Sequence, residues 1–167
     1  MPVWPRLLAA IERHGGAAMV TVAAADGSSP REPGARMIVN PDATFTGTIG
    51  GGTLEWQAIA IAQAMLARPD GNRAELRRFS LGPELGQCCG GRVDLLVERF
   101  GPAERDAVAG FAAREAAGPF TTVGRVSPGG VERQLTDALV VPGAAELAEG
   151  VLREGFGDNR RPLLLFG

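Results

Sequence analysis

Residues 17 to 25 read AAMVTVAAA, a run without a single charge. It falls well short of the roughly 20 apolar residues that a membrane-spanning helix needs. Its Val and Ala content reads instead as a buried strand. A strand of this kind must be covered by other elements. The 167 residues suffice for one compact domain. A domain of that length buries roughly two-thirds of the surface its unfolded chain exposes, so it needs neither metal nor disulfide to fold.

The covering elements are legible around that run. WPRLLAAIERHGG gives an amphipathic helix over 5–14, closed by Gly15. DGSSPREPG, 26–34, is a loop of turn formers. ARMIVN (35–40) and TFTGTI (44–49) flank the turn NPDA and read as a hairpin. GGG at 50–52 opens a long helix whose Leu54, Ala58, Ile61, Ala62 and Met65 follow the 3.6 period. RAELRRFS (73–80) alternates like an exposed strand, and RVDLLVERF (92–100) is another strand. PAERDAVAGFAAREAAG has the Pro and Gly punctuation of a helix. PFTTVGRV, SPGG and VERQL predict a second hairpin, GAAELAEGVLRE a short helix, and GFGDNRRP a linker. The closing RPLLLFG reads as a buried, parallel-type strand running into Gly, as a dinucleotide-binding βαβ unit begins. The expected fold is therefore α/β, a mixed sheet with packed helices. Residues 1–154 form the main domain, 155–161 the linker, and 162–167 the first strand of a Rossmann-like unit that stops there.

Composition removes whole classes of chemistry. All 17 basic residues are Arg, and Lys and Tyr are absent. That excludes Schiff-base lysines, a P-loop lysine and a phenolic acid. The missing Lys itself reads as codon bias. A net charge of −2 without a basic stripe argues against nucleic acid. The first residues carry no secretory signal, so a cytosolic protein with reduced thiols is expected, away from membranes. One His and two Cys cannot build a Cys-rich zinc site. His14 ends its helix, where a cation favours the dipole, and reads as a helix-terminal residue rather than a catalytic base.

Three segments carry chemistry. In GSSPREPGAR, Arg31 and Arg36 flank a rigid turn and read either as an anion clamp or as solvated cations. In GTIGGGTLE, Gly50, Gly51 and Gly52 let backbone N–H groups approach an anion at a helix start, although no named nucleotide motif is matched. Glu55 there reads as a cap bonding back near Gly52, or as a functional carboxylate. In ELGQCCGG, both thiols are adjacent. Consecutive Cα atoms lie about 3.8 Å apart, whereas disulfides usually need about 4.4 Å or more, so a Cys88–Cys89 bond would be strained. Gly90 and Gly91 favour a turn whose N–H groups lower a thiol pKa, and soft thiolates suit soft metals. Two small buried hydrophobes are the plainer alternative.

Taken in order, GSSPREPGARMIV, GTIGGGTLE and LGPELGQCCGGRVDLLVE resemble the xanthine dehydrogenase accessory proteins of the XdhC/CoxI type. The resemblance covers about the first hundred residues, and RPLLLFG is similar to the threshold of that family's Rossmann-like half. It implies a maturation factor, a carrier more than an enzyme. Such a protein binds molybdenum cofactor while a cysteine desulfurase supplies sulfur, then delivers it to a xanthine dehydrogenase-type hydroxylase. A homodimer is also implied. By the same resemblance, Arg31, Arg36 and the glycine-rich helix start hold the phosphate. Cys88 or Cys89 faces the molybdenum, and Gln87 bonds an oxo group or the pterin edge. Relatives often carry Cys where this chain has Thr53, and without the second half binding is expected to be weak. The alternatives are the start of a thiol- or nucleotide-dependent oxidoreductase, and a docking module between hydroxylase and desulfurase.

Overall fold

The structure is a computed structural model and describes residues 2–82 and 90–157. The uncharged run becomes β1 (Ala17–Asp26), the middle strand of the first sheet. On one side it pairs with β2 (Arg36–Val39), which pairs with β3 (Phe45–Gly47). On the other it pairs with β5 (Arg92–Phe100), which pairs with β4 (Ala74–Ser80). The order is β3-β2-β1-β5-β4. A bulge between Val22 and Ala24 shifts the β1–β5 register.

Both faces of this sheet are covered, which is why β1 shows no alternation. One face carries Ala18, Val20, Val22, Met37, Val39, Leu95 and Val97. Against it lies α2 (Gly52–Leu66), which buries Leu54, Ala58, Ile59, Ala62 and Met65. The other face carries Ala17, Met19 and Ile38, under α1 (Trp4–His14) and α3 (Arg105–Ala117). Helix α1 ends on Gly15 at φ +78°, whose N–H bonds the Ile11 carbonyl. That is the left-handed cap expected of its Gly. Among the described residues, no helix is long and apolar enough to cross a membrane.

A second sheet completes this side. Strand β6 (Phe120–Ser127) pairs with β7 (Gly130–Val131), β8 (Gln134–Thr136) and β10 (Val151–Phe156), and β10 with β9 (Ala145–Ala148). Ala145 and Leu152 of this sheet meet Ala23, Ala74 and Leu96 of the first. The α/β class holds. Where one mixed sheet was expected, the described strands form two sheets with antiparallel ladders.

Residues 143–154, expected as a short helix, are the β9–β10 hairpin. Glu149 and Gly150 both take positive φ, +51° and +75°, the twist of a two-residue hairpin turn. The helix-favouring Ala, Glu and Leu content loses to tertiary pairing of β10 with β6. Gly155 and Phe156, expected to open the linker, belong to β10. Phe156 is buried against Trp4 and Phe120, with ring centroids 5.2 Å from each. The expected strand RPLLLFG lies outside the described residues.

One buried ion network spans the two sheets. Glu154 of β10 accepts from Arg36 of β2 at 2.9 Å and from Arg133 Nε at 2.6 Å. Arg133 also forks onto Glu98 of β5. The guanidiniums lie over aromatic faces, Arg36 at 4.5 Å from Phe156 and Arg133 at 5.3 Å from Trp4.

Candidate functional site

The loop between β1 and β2 is built into the structure at several points. Gly34 N–H donates to the Val22 carbonyl, and Pro33 accepts from Ala145 of β9. Gly34 stands at φ +102°, and a Cβ there would lie 2.0 Å from the Gly143 carbonyl oxygen. Only glycine permits that approach.

This loop is also where the three chemical segments meet. A Cβ on Gly50 would lie 2.7 Å from the Pro30 ring and 3.4 Å from Arg31 Cγ. On the loop's other flank, a Cβ on Gly91 would lie 1.9 Å from the Ser28 carbonyl oxygen. Arg92 pairs with Asp26 beside it, at 2.9 Å. Segments separated by tens of residues thus share one end of the first sheet. Gln87, Cys88 and Cys89 lie outside the described residues. Their flanks are joined at the base, where Leu81 N–H donates to the Gly91 carbonyl at 2.7 Å. Gly90 is exposed, and a Cβ there would meet none of the described residues.

The glycine turn opens α2 with three positive φ values, +124°, +79° and +66° at Gly50, Gly51 and Gly52. None of the described residues comes near the Cβ positions of Gly51 and Gly52. Glu55 turns back onto this turn. Its Oε2 accepts from Thr48 Oγ1 at 2.8 Å, Gly51 N at 3.1 Å and Ile49 N at 3.2 Å. The capping reading of Glu55 is therefore what the geometry displays. Its carboxylate occupies the anion position that the bare helix start would offer.

The two arginines part company. Arg31 is exposed and makes no ion pair among the described residues. Arg36 has a side chain only 5% exposed, with one nitrogen on Glu154 and another on the Gly34 carbonyl. Its fork is committed to holding the loop to the second sheet rather than free to close as a mobile clamp. Glu154 feels opposing influences. Burial pushes its carboxyl up, but Arg133 and Arg36 outweigh that and hold it below the usual carboxylate range. The same carboxylates hold the Arg133 guanidinium charged against its burial.

Sequence reasoning missed two neighbours of the site. Trp56, at the start of the second turn of α2, is 72% exposed. It stands outside the buried set Leu54, Ala58, Ile59 and Ala62, a signal available from the helical period. Arg6 of α1 shares a cleft with Arg31 and Arg36. No spacing rule connects it to them.

A family model described as the XdhC and CoxI family matches residues 10–80, which contain the first two segments. Among solved structures, the chain is similar to a Bacillus halodurans protein described as a xanthine dehydrogenase. The TM-score is 0.67 at 24% identity, over 81% of this chain and 42% of that one. That likeness is one of fold, and this chain spans less than half of that protein's length. No curated protein matches the chain. The resemblance read from the motifs is borne out: over residues 10–80, the chain is matched by the XdhC and CoxI family.

Proposed function

We propose that this chain is the cofactor-facing part of a maturation factor for a xanthine dehydrogenase-type molybdenum hydroxylase. It binds molybdenum cofactor, shelters it while a cysteine desulfurase supplies sulfur, and passes it on. The observation that carries this reading is the convergence of the three segments, with Pro30 on Gly50 and Ser28 on Gly91. Bound here, the cofactor would supply a soft metal centre for sulfur transfer. Gly51 and Gly52 leave backbone open to a close-lying pterin ring. Arg31 offers a fork to the phosphate, and Arg36 positions the loop that bears it. Gln87, Cys88, Cys89 and Gly90 are the residues proposed for the metal end.

The test is to purify the chain from cells that make the cofactor, then assay molybdenum and pterin. Both are expected in the sample. Replacing Cys88 or Cys89 by Ser should lower the molybdenum for at least one of the two. A chain that carries neither molybdenum nor pterin, and takes up neither when supplied, overturns the reading. A docking module between hydroxylase and desulfurase is favoured by a different observation. Leu135 and Leu139 stand exposed along one cleft beside Phe120. Complex formation that persists without cofactor would select it.

A further inference from the structure

A cleft of about 350 Å³ opens on the α1 side of the first sheet, opposite α2. The start of α1 supplies Val3 and Arg6, the β1–β2 loop supplies Arg31 and Arg36, and the sheet edge supplies Ile38 and Thr46. Three arginines line it, and among the described residues no carboxylate does.

The charge balance is specific. Arg36 and Arg133 together are matched by Glu98 and Glu154. Arg6 and Arg31 make no ion pair among the described residues, which leaves two positive charges facing the cleft. Arg36 adds a second observation. Its Nε–H is buried and meets no acceptor among the described residues, while its side chain lines the cleft. A buried donor left without an acceptor is costly, and a charged donor more so. The other place for an anion, the start of α2, already holds the Glu55 carboxylate against Ile49 N–H and Gly51 N–H. A second anion there would meet a like charge.

We propose that this cleft binds a dianionic phosphate, as a phosphate monoester or the free ion, gripped by Arg6 and Arg31 and backed by Arg36. Guanidinium forks match phosphate oxygens two at a time, and two unmatched cations suit a dianion. Low-dielectric walls of Val3 and Ile38 strengthen the attraction. The inference stands without the cofactor reading, because any phosphate monoester has the same chemistry.

The experiment titrates the full chain with inorganic phosphate, glycerol 3-phosphate and acetate at low ionic strength, read by calorimetry and phosphorus NMR. Both phosphates should bind, and acetate much more weakly. Arg6→Gln and Arg31→Gln should each weaken phosphate binding roughly tenfold or more, the scale of one lost charge-assisted fork. Arg77→Gln, on β4 and paired with Glu75, should leave it unchanged. Both cleft residues are at least partly exposed, so the variants should melt like the parent. Arg31→Lys, which keeps the charge, checks the fork if Arg31→Gln does not fold. Phosphate binding weaker than about 10 mM overturns the proposal, as does binding that survives both Gln substitutions. Protein from cells with and without molybdenum cofactor separates the sources. A cleft blocked only in the first assigns it to the cofactor's phosphate, and a cleft open in both to a free phosphate ester.

Discussion

Replacing Glu154 by Gln tests the buried network that fastens the site's loop to the second sheet. Glu154 is fully buried and accepts from two guanidiniums, at 2.9 Å and 2.6 Å. Removing one partner of a buried ion pair costs about 3–5 kcal/mol, because a charge is left uncompensated. Arg133 keeps Glu98, and Gln keeps one acceptor oxygen, so the lower end applies, about 3 kcal/mol. Urea denaturation followed by circular dichroism at neutral pH is the assay. With a slope of about 2 kcal/mol per molar urea, the midpoint should fall by about 1.5 M. The pH dependence fixes the cause. Glu154 is held below its ordinary value of 4.5, so its contribution is complete above that pH. It is lost as the pH falls through the lowered folded value. Gln does not titrate, so the gap between parent and variant should be wide at neutral pH and close in acid. A midpoint shift under about 0.5 M at neutral pH, or a gap that stays constant into acid, refutes the reasoning.

Two further substitutions probe the glycine-rich end of the sheet. Glu55→Ala removes the acceptor for Thr48 Oγ1, Ile49 N–H and Gly51 N–H, and should cost about 0.5–2 kcal/mol in thermal or urea unfolding, the range for lost caps. An unchanged melt would show that the cap contributes nothing. Gly91→Ala places a Cβ 1.9 Å from the Ser28 carbonyl oxygen, a backbone atom that has to shift, and should cost about 1–3 kcal/mol or more. Gly90→Ala meets none of the described residues and should stay within about 0.5 kcal/mol of the parent. Equal effects at the two glycines would remove the close approach of the segments as an explanation.

Local rules carried the first sheet well. The uncharged run, the Gly15 cap and the hairpin around Asn40 all rest on neighbours in sequence, and each formed as read. They failed at 143–154, where helix formers sit around a Glu–Gly turn. Strand β10 forms there because Leu152 and Phe156 are needed in two separate cores. No window of a dozen residues contains that requirement. The site divided in the same way. Gly50 and Gly91 were singled out from the segments GTIGGGTLE and ELGQCCGG, yet the loop residues they touch, Pro30 and Ser28, emerged only from the fold. The arginine pair looked symmetrical in sequence. Its split follows from Glu154, 118 positions away from Arg36. Arg6 joined the site through helix placement alone.

Glu115 of α3 is buried and gathers backbone from both ends of the described chain. Helix α1 lacks a capping side chain of its own. Glu115 Oε2 instead accepts from Val3 N–H and Trp4 N–H, each at 2.9 Å, while Oε1 accepts from Gly157 N–H at 3.3 Å. The path of the fold therefore closes almost into a ring, fastened by one carboxylate. A circular permutant is topologically natural for it. A few residues would join position 157 to position 3, and new ends would open in the exposed Pro128–Gly129 turn. The same clasp pins Gly157 and Val3 to one side chain, and Val3 is itself part of the arginine cleft's wall.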